Sequence, residues 1–259
     1  MAEQKAGEMP FLDHLEELRW RLIYSLAALV VCVGIAFVIV WKFDALAWLQ
    51  RPITPFMNGH KLVYMHPADT FTIVMSTSIT LGVVFALPVI LYNVWAFLSP
   101  ALHSKEKRLA VPVFAGATLL FLAGAALAWF LVLPMSLGFL MGFQSASLEP
   151  MIAATEYFDF ATTMVVTFGL AFELPIVIVA LAALNLVSPQ FLMKFRRHAV
   201  VLATAIAAII TPGDFLGTTI ALAVPLYLLY EVSIWLTLLI FRKRAQAARA
   251  AAEADAALA

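Results

Sequence analysis

The sequence predicts an all-α integral membrane protein, six transmembrane helices in a concave bundle, both termini cytoplasmic, with short fifth and sixth spans. Three observations predict it. The 259 residues are 64% hydrophobic and only 12% charged, against about 25% charged in a soluble domain. Six runs are apolar enough to be spans, and the lysines and arginines between them fall mostly on one side. The fifth run is too short to cross a bilayer fully. Net charge is zero, which removes the electrostatic case for nucleic acid. Cys32, the single cysteine, lies in an apolar run, has no partner for an internal disulfide and carries no metal signal.

The chain reads as one membrane domain over 1–241 and an Ala-rich charged tail over 242–259, solvated and partly helical. Its start mixes acids and bases and lacks the small-residue cleavage site of a secretory signal, so the first apolar run is expected to be a retained helix. "FLDHLEELRWRL" (11–22) sets Phe11, Leu15, Leu18 and Leu22 at helical spacing. That predicts an amphipathic lead-in, 11–21, lying along the membrane surface. Spans are expected at about 22–41, 70–98, 109–134, 158–184, 198–212 and 215–240. The third run stays uncharged from Leu109 to Leu148, and Pro134 is expected to end its helix and leave an apolar loop. Pro88, Pro175 and Pro225 lie inside spans, where each frees a carbonyl and bends its helix. Packing irregularity alone accounts for any one of them equally well.

The fourteen residues His198–Thr211 rise only about 21 Å as a helix, against a hydrocarbon core of about 30 Å. "TPGD" (211–214) then turns the chain at once. Spans five and six therefore read as a hairpin that stops short of the far surface, beside thinned bilayer or a watery concavity. Thirteen lysines and arginines fall on the side of the termini, and only Lys42, Arg51 and Lys61 on the other. That asymmetry puts both termini in the cytoplasm.

Charges inside the spans need reasons. Glu173, in "FGLAFELPIVIV" (168–179), sits near mid-membrane, where an acid costs roughly 2.5–3.5 kcal/mol. It is expected to face protein or water, either as a neutral group bonded to a neighbouring helix or as a polar site lining a cavity or docking a partner helix. Asp214 reads equally as an N-cap of the sixth helix. Glu231 lies in span six, nearer its cytoplasmic end. Glu17 and Arg21 are four apart, so a local ion pair is the plain reading; Glu106 reads alone as a solvated loop charge. His60 and His66 belong to an outer loop. "GVVFALPVIL" (82–91) echoes "GLAFELPIVI" (169–178), with Gly, Phe, Leu and Pro in register and Ala86 in the place of Glu173. This is either a parallel repeat or, more simply, coincidence between two proline-bearing helices. No HExxH, GxSxG or Walker motif appears, so no enzyme is expected, nor any cofactor or metal.

Four stretches together resemble the twin-arginine protein translocase subunit TatC family: "HLEELRWRL" (14–22), "PVILYNVWAFLSPAL" (88–102) with "KEKR" (105–108), "FGLAFELPI" (168–176) and "TPGD" (211–214). The resemblance covers residues 11 to about 241; Lys107 stands where the family pattern has arginine. It implies a core receptor subunit of the bacterial cytoplasmic (inner) membrane that binds the twin-arginine signal peptides of folded proteins. It implies recruitment of TatA- and TatB-like single-span proteins, in homo- and hetero-oligomers, for export driven by the proton-motive force. Residues matching Glu17 and Glu106 are implicated in peptide binding, with Arg19 and Arg21 orienting these acids or partners. Phe97, Pro88 and Pro52 fall on family positions that shape the site and the outer loop. Glu173 would line the concave hydrated face and touch a partner helix, with Asp214 at the turn of the partner-docking hairpin. The rival reading is a proton-coupled secondary transporter of a small solute, with Glu173 as its proton site.

Overall fold

The computed structural model describes residues 11–57, 59–98, 110–142, 151–210 and 217–258. Hydrogen bonding inside a bilayer has to be met within the chain, and helices meet it. The order is α1 (Phe11–Lys42), α2 (Ala45–Leu49), a 3-10 turn (Thr54–Phe56), α3 (Asp69–Leu98), α4 (Ala110–Leu127), a π turn (Ala128–Val132), α5 (Leu133–Gly142), α6 (Ala154–Phe172), α7 (Leu174–Ala183), α8 (Pro189–Lys194), α9 (Arg196–Ile210) and α10 (Gly217–Leu258). Among the described residues, five stretches are long and apolar enough to cross a membrane: Asp13–Lys42, Asp69–Phe97, Phe114–Gly142, Ala154–Ala182 and Thr219–Arg242. The remaining expected span is α9, whose 15 residues rise only about 22 Å.

Three boundaries differ from the sequence reading. The lead-in does not form a helix of its own: residues 11–21 and the first span are one 32-residue helix, because no glycine or proline falls at the join between them. Pro134 does not end the third span. The helix continues to Gly142 after the π turn, whose wider ring leaves the proline as the second residue of α5, where its missing N–H is not needed. The fourth span is split: α6 ends at Phe172, α7 begins at Leu174, and Glu173 is the junction. The tail is an unbroken extension of α10 to Leu258, as its alanines favour.

The bundle is built around two helix pairs, α1 on α3 and α4 on α6, with α3 joining them through α6; α10 packs against α9 and α7. The main core is apolar, with Ile53, Val132, Leu133, Phe158, Phe168 and Leu222 all buried. A smaller cluster of Ile178, Leu192 and Ile234 ties α7, α8 and α10 together. Without a hydrophobic force between helices in lipid, close backbone approach sets the pairs. Gly82 of α3 lies so near α1 that a Cβ there would meet the Val33 Cα at 2.7 Å.

The segment between α1 and α3 is structured. The Tyr157 hydroxyl donates to the Leu49 carbonyl at 2.6 Å, and Trp48 stacks on Trp129 at 4.6 Å with 6° between the rings. Val63 and Ala153 form an isolated parallel bridge: Val63 N–H donates to Ile152 O at 3.1 Å and Ala154 N–H to Val63 O at 2.7 Å. Asp69 fixes the start of α3 by accepting from the backbone N–H groups of Met65 (2.8 Å) and His66 (2.9 Å).

Gly82→Leu is expected to lower the melting temperature of the detergent-solubilised protein, at an overpacking cost of about 1–3 kcal/mol. Gly116→Leu is the control, since nothing lies within 4 Å of a Cβ there. Equal melting of the two variants would refute the tight α1–α3 approach.

Candidate functional site

The α1–α3 pair brings the first group of expected residues together at the end of the bundle opposite α2. On α1, His14, Glu17, Arg21 and Ser25 recur at three- and four-residue spacing and are all partly buried; they form the stripe that faces α3. The Arg21 guanidinium donates to Glu17 Oε1 at 3.3 Å. Glu17 Oε2 is enclosed and has no hydrogen-bond partner among the described residues. Phe97, near the C-terminus of α3, stacks on His14 at 4.4 Å and 15°. Phe97 thus stands one helical turn from Glu17, across the helix pair. Arg19 is exposed on another face of α1, away from this contact. Glu106 and Asp214 lie outside the described residues.

Glu173 is placed by the break in the fourth span. Pro175 has no N–H to donate to the Ala171 carbonyl, so the helix stops and restarts. The Glu173 N–H turns to Leu170 O at 3.1 Å, while its own carbonyl accepts from Ile176 (3.0 Å) and Val177 (3.1 Å). The side chain is only 7% exposed, and neither carboxyl oxygen has a partner among the described residues. An acid in that state is a large local cost that an apolar residue would not carry. In α3 the equivalent position is Ala86, fully buried, and α3 runs unbroken through Pro88. The two halves of the sequence echo therefore share burial but not backbone course.

Glu173 does not line the cleft beside α6. A cavity of about 250 Å³ opens between α3, α4 and α6, with walls that include Thr77, Leu81, Leu122, Trp129, Phe130 and Val165. Its lining is apolar side chains with a few threonines rather than a hydrated acid site. Glu173 lies two turns beyond it along α6. Pro52 is half-buried beside the fully buried Ile53 in the turn after α2, and Pro88 is half-buried within α3.

Two sets of residues escaped the sequence reading. His14 shares the stripe of Glu17 and Arg21, a periodicity legible in "HLEELRWR", but its stacking partner is far along the chain. Glu231 was placed near one end of span six, but its partners were not: it accepts from Arg196 Nη2 at 2.8 Å and from the Tyr227 hydroxyl at 2.8 Å. Arg196 and Glu231 are 35 positions apart, and no local signal links them.

The fold and these sites define a multi-pass helical membrane protein with a half-buried acid at one end and, within its fourth span, a buried acid that has no partner among the described residues. Residues 13–225 match the family model "Sec-independent protein translocase protein (TatC)". The chain is 40% identical over 245 residues to the Sec-independent protein translocase protein TatC of Aquifex aeolicus, covering 93% of this chain and all of that one. It is 33% identical to TatCy of Bacillus subtilis, covering 94% of each. A solved structure described as the twin arginine translocase receptor TatC superposes with a TM-score of 0.73 at 40% identity, covering 87% of this chain and 98% of that one. The chain belongs to the TatC family of Sec-independent protein translocase proteins. It is a translocase component of the membrane, not an enzyme, and that membership displaces the small-solute transporter reading.

Because nothing described neutralises Glu173, Glu173→Leu is expected to stabilise the solubilised subunit by about 1–3 kcal/mol. A thermal melt of the two proteins checks it. A lower melting temperature for the leucine variant would mean that the carboxyl has a stabilising partner.

Proposed function

We propose that this chain is the signal-peptide receptor of a twin-arginine translocase in the bacterial inner membrane, with both termini in the cytoplasm. It binds peptides carrying two adjacent arginines at the cytoplasmic face. It then gathers TatA- and TatB-like single-span helices for export of folded proteins driven by the proton-motive force. The observation that carries this reading is the Glu17 carboxylate, half-buried beside the His14–Phe97 stack with one oxygen on Arg21 and the other enclosed and unpartnered among the described residues. Arginine presents a planar fork of donors that suits a carboxylate, and a partly desolvated carboxylate rewards that match more than a solvated one. The receptor named among the solved relatives supports the same reading.

Glu106 is the second acid of the site, meeting the second arginine. Arg21 holds Glu17 in its rotamer until the peptide competes for it, and Arg19 faces outward toward lipid headgroups or a partner. The thirteen-to-three distribution of lysine and arginine supports the orientation. Glu173 is the intramembrane contact: a buried acid without a described partner is satisfied by a polar group on an incoming helix. The short α9 and the first half of α10 form the docking face, with Asp214 at their turn.

The test is binding of a labelled twin-arginine peptide to the purified protein beside a twin-lysine control. Glu17→Gln and Glu106→Gln should each weaken the arginine peptide by roughly tenfold or more, the scale of a charge-assisted hydrogen bond. Binding that ignores both substitutions would sink the receptor assignment. Glu173→Ala should leave peptide affinity near that of the unmodified protein and reduce recovery of partner helices. Loss of peptide binding with normal assembly would contradict its role.

A further inference from the structure

The Arg196–Glu231 contact is not used by the peptide site. It joins α9 and α10 at one end. Further along, Ala203 and Ala207 of α9 are buried in the cluster that holds Leu222 and Leu226 of α10. The alanines of α9 allow close approach there. The outward side of α9 is exposed, Val201 at 68%, Leu202 at 61% and Ile209 at 81%.

The polar end adds a directional, charged tie between the two helices. Arg196 opens α9, and its Nη2 lies 2.8 Å from Glu231 Oε2. The Tyr227 hydroxyl, one turn earlier on α10, donates to Glu231 Oε1 at 2.8 Å. Both carboxylate oxygens are thereby held, one from each helix. Beside them the Tyr230 hydroxyl donates to the Leu192 carbonyl of α8 at 2.8 Å, so neighbouring turns of α10 grip both short helices that precede it. Hydrogen bonds to a charged group are directional, and these lie at one end of a helix only 15 residues long. A small rotation there swings the whole of α9.

We propose that Arg196, Glu231 and Tyr227 form a latch that sets the angle and depth of α9 against α10, so that the exposed apolar side of α9 meets a single-span partner in one orientation. The proposal rests on the partner-docking role assigned above to this hairpin. The three are positioning residues: none touches the peptide.

The experiment places spin labels at Leu202→Cys and Val224→Cys, both exposed, in a Cys32→Ser background, and reads the distance distribution in lipid nanodiscs. The same samples are assayed for co-purified partner helix and for twin-arginine peptide affinity. Arg196→Ala and Glu231→Gln should broaden or shift the distance. Each should lower partner recovery by up to about fivefold, the ceiling for a part-exposed ion pair. Tyr227→Phe, which keeps the fold and removes one hydroxyl, should do so more weakly. The exchanged pair Arg196→Glu/Glu231→Arg should restore the narrow distance and the partner. Peptide affinity should stay within about twofold throughout, as expected for a separate site. An unchanged distance in both single variants, or an exchanged pair as disordered as the singles, would overturn the latch. If the unmodified protein bound neither peptide nor partner, the receptor assignment would fail, and the distance distributions would still decide the latch.

Discussion

Backbone hydrogen bonding in a solvent that offers none is the constraint on which this fold depends. In hydrocarbon every N–H and C=O left open costs free energy, so the chain leaves the α-helix inside its spans only where something nearby takes over the bonding. It does so twice. At Ala128–Val132 a π turn absorbs the approach of Pro134 without opening the helix to lipid. At Glu173 the chain makes a true break, and the break is buried between α6, α7 and their neighbours. The two prolines differ in outcome: the helix runs on through Pro134 after the π turn and is broken two residues before Pro175. The acid most in need of a function is therefore also the point where the scaffold is discontinuous.

That pattern explains what the sequence could say. Hydropathy and length made the long spans legible, because each carries its own signal within about 20 residues. The short α9 was legible for the same reason, from the distance between "RRH" and "TPGD". The course of the chain at Pro134 was not, since a proline signals a fault in the helix but not how the fault is repaired. That the lead-in and the first span form one helix was not legible, because amphipathicity in "FLDHLEELRWRL" describes a surface, not a bend. The stacked Trp48 and Trp129, the Tyr157–Leu49 hydrogen bond and the Val63–Ala153 bridge join residues far apart in sequence. Nothing in either partner's neighbourhood marks them.

The site divides along the same line. Glu17 and Arg21 were visible as a four-residue pair, and they are paired. Phe97 came only through the family motif, and its physical partner, His14, appeared once α1 and α3 were side by side. Glu173 was conspicuous as a lone acid, but its separation from the apolar cleft was not readable. Glu231 looked incidental because its partner belongs to another helix. Charges that interact within one helical turn are legible from sequence; charges that interact across a bundle need the bundle first.

The bridge between Val63 and Ala153 has a consequence for assembly. Its partners are about 90 positions apart, with α3, α4 and α5 between them. It ties the start of α6 to the segment that leads into α3, and it can close only after those three helices are threaded. Bringing such distant residues together carries a larger chain-closure entropy than pairing α1 with α3, which adjoin in sequence. The helix pairs are thus the local, early products of insertion. The bridge is a clasp drawn tight behind them, and it fastens the loop before α3 to the start of α6.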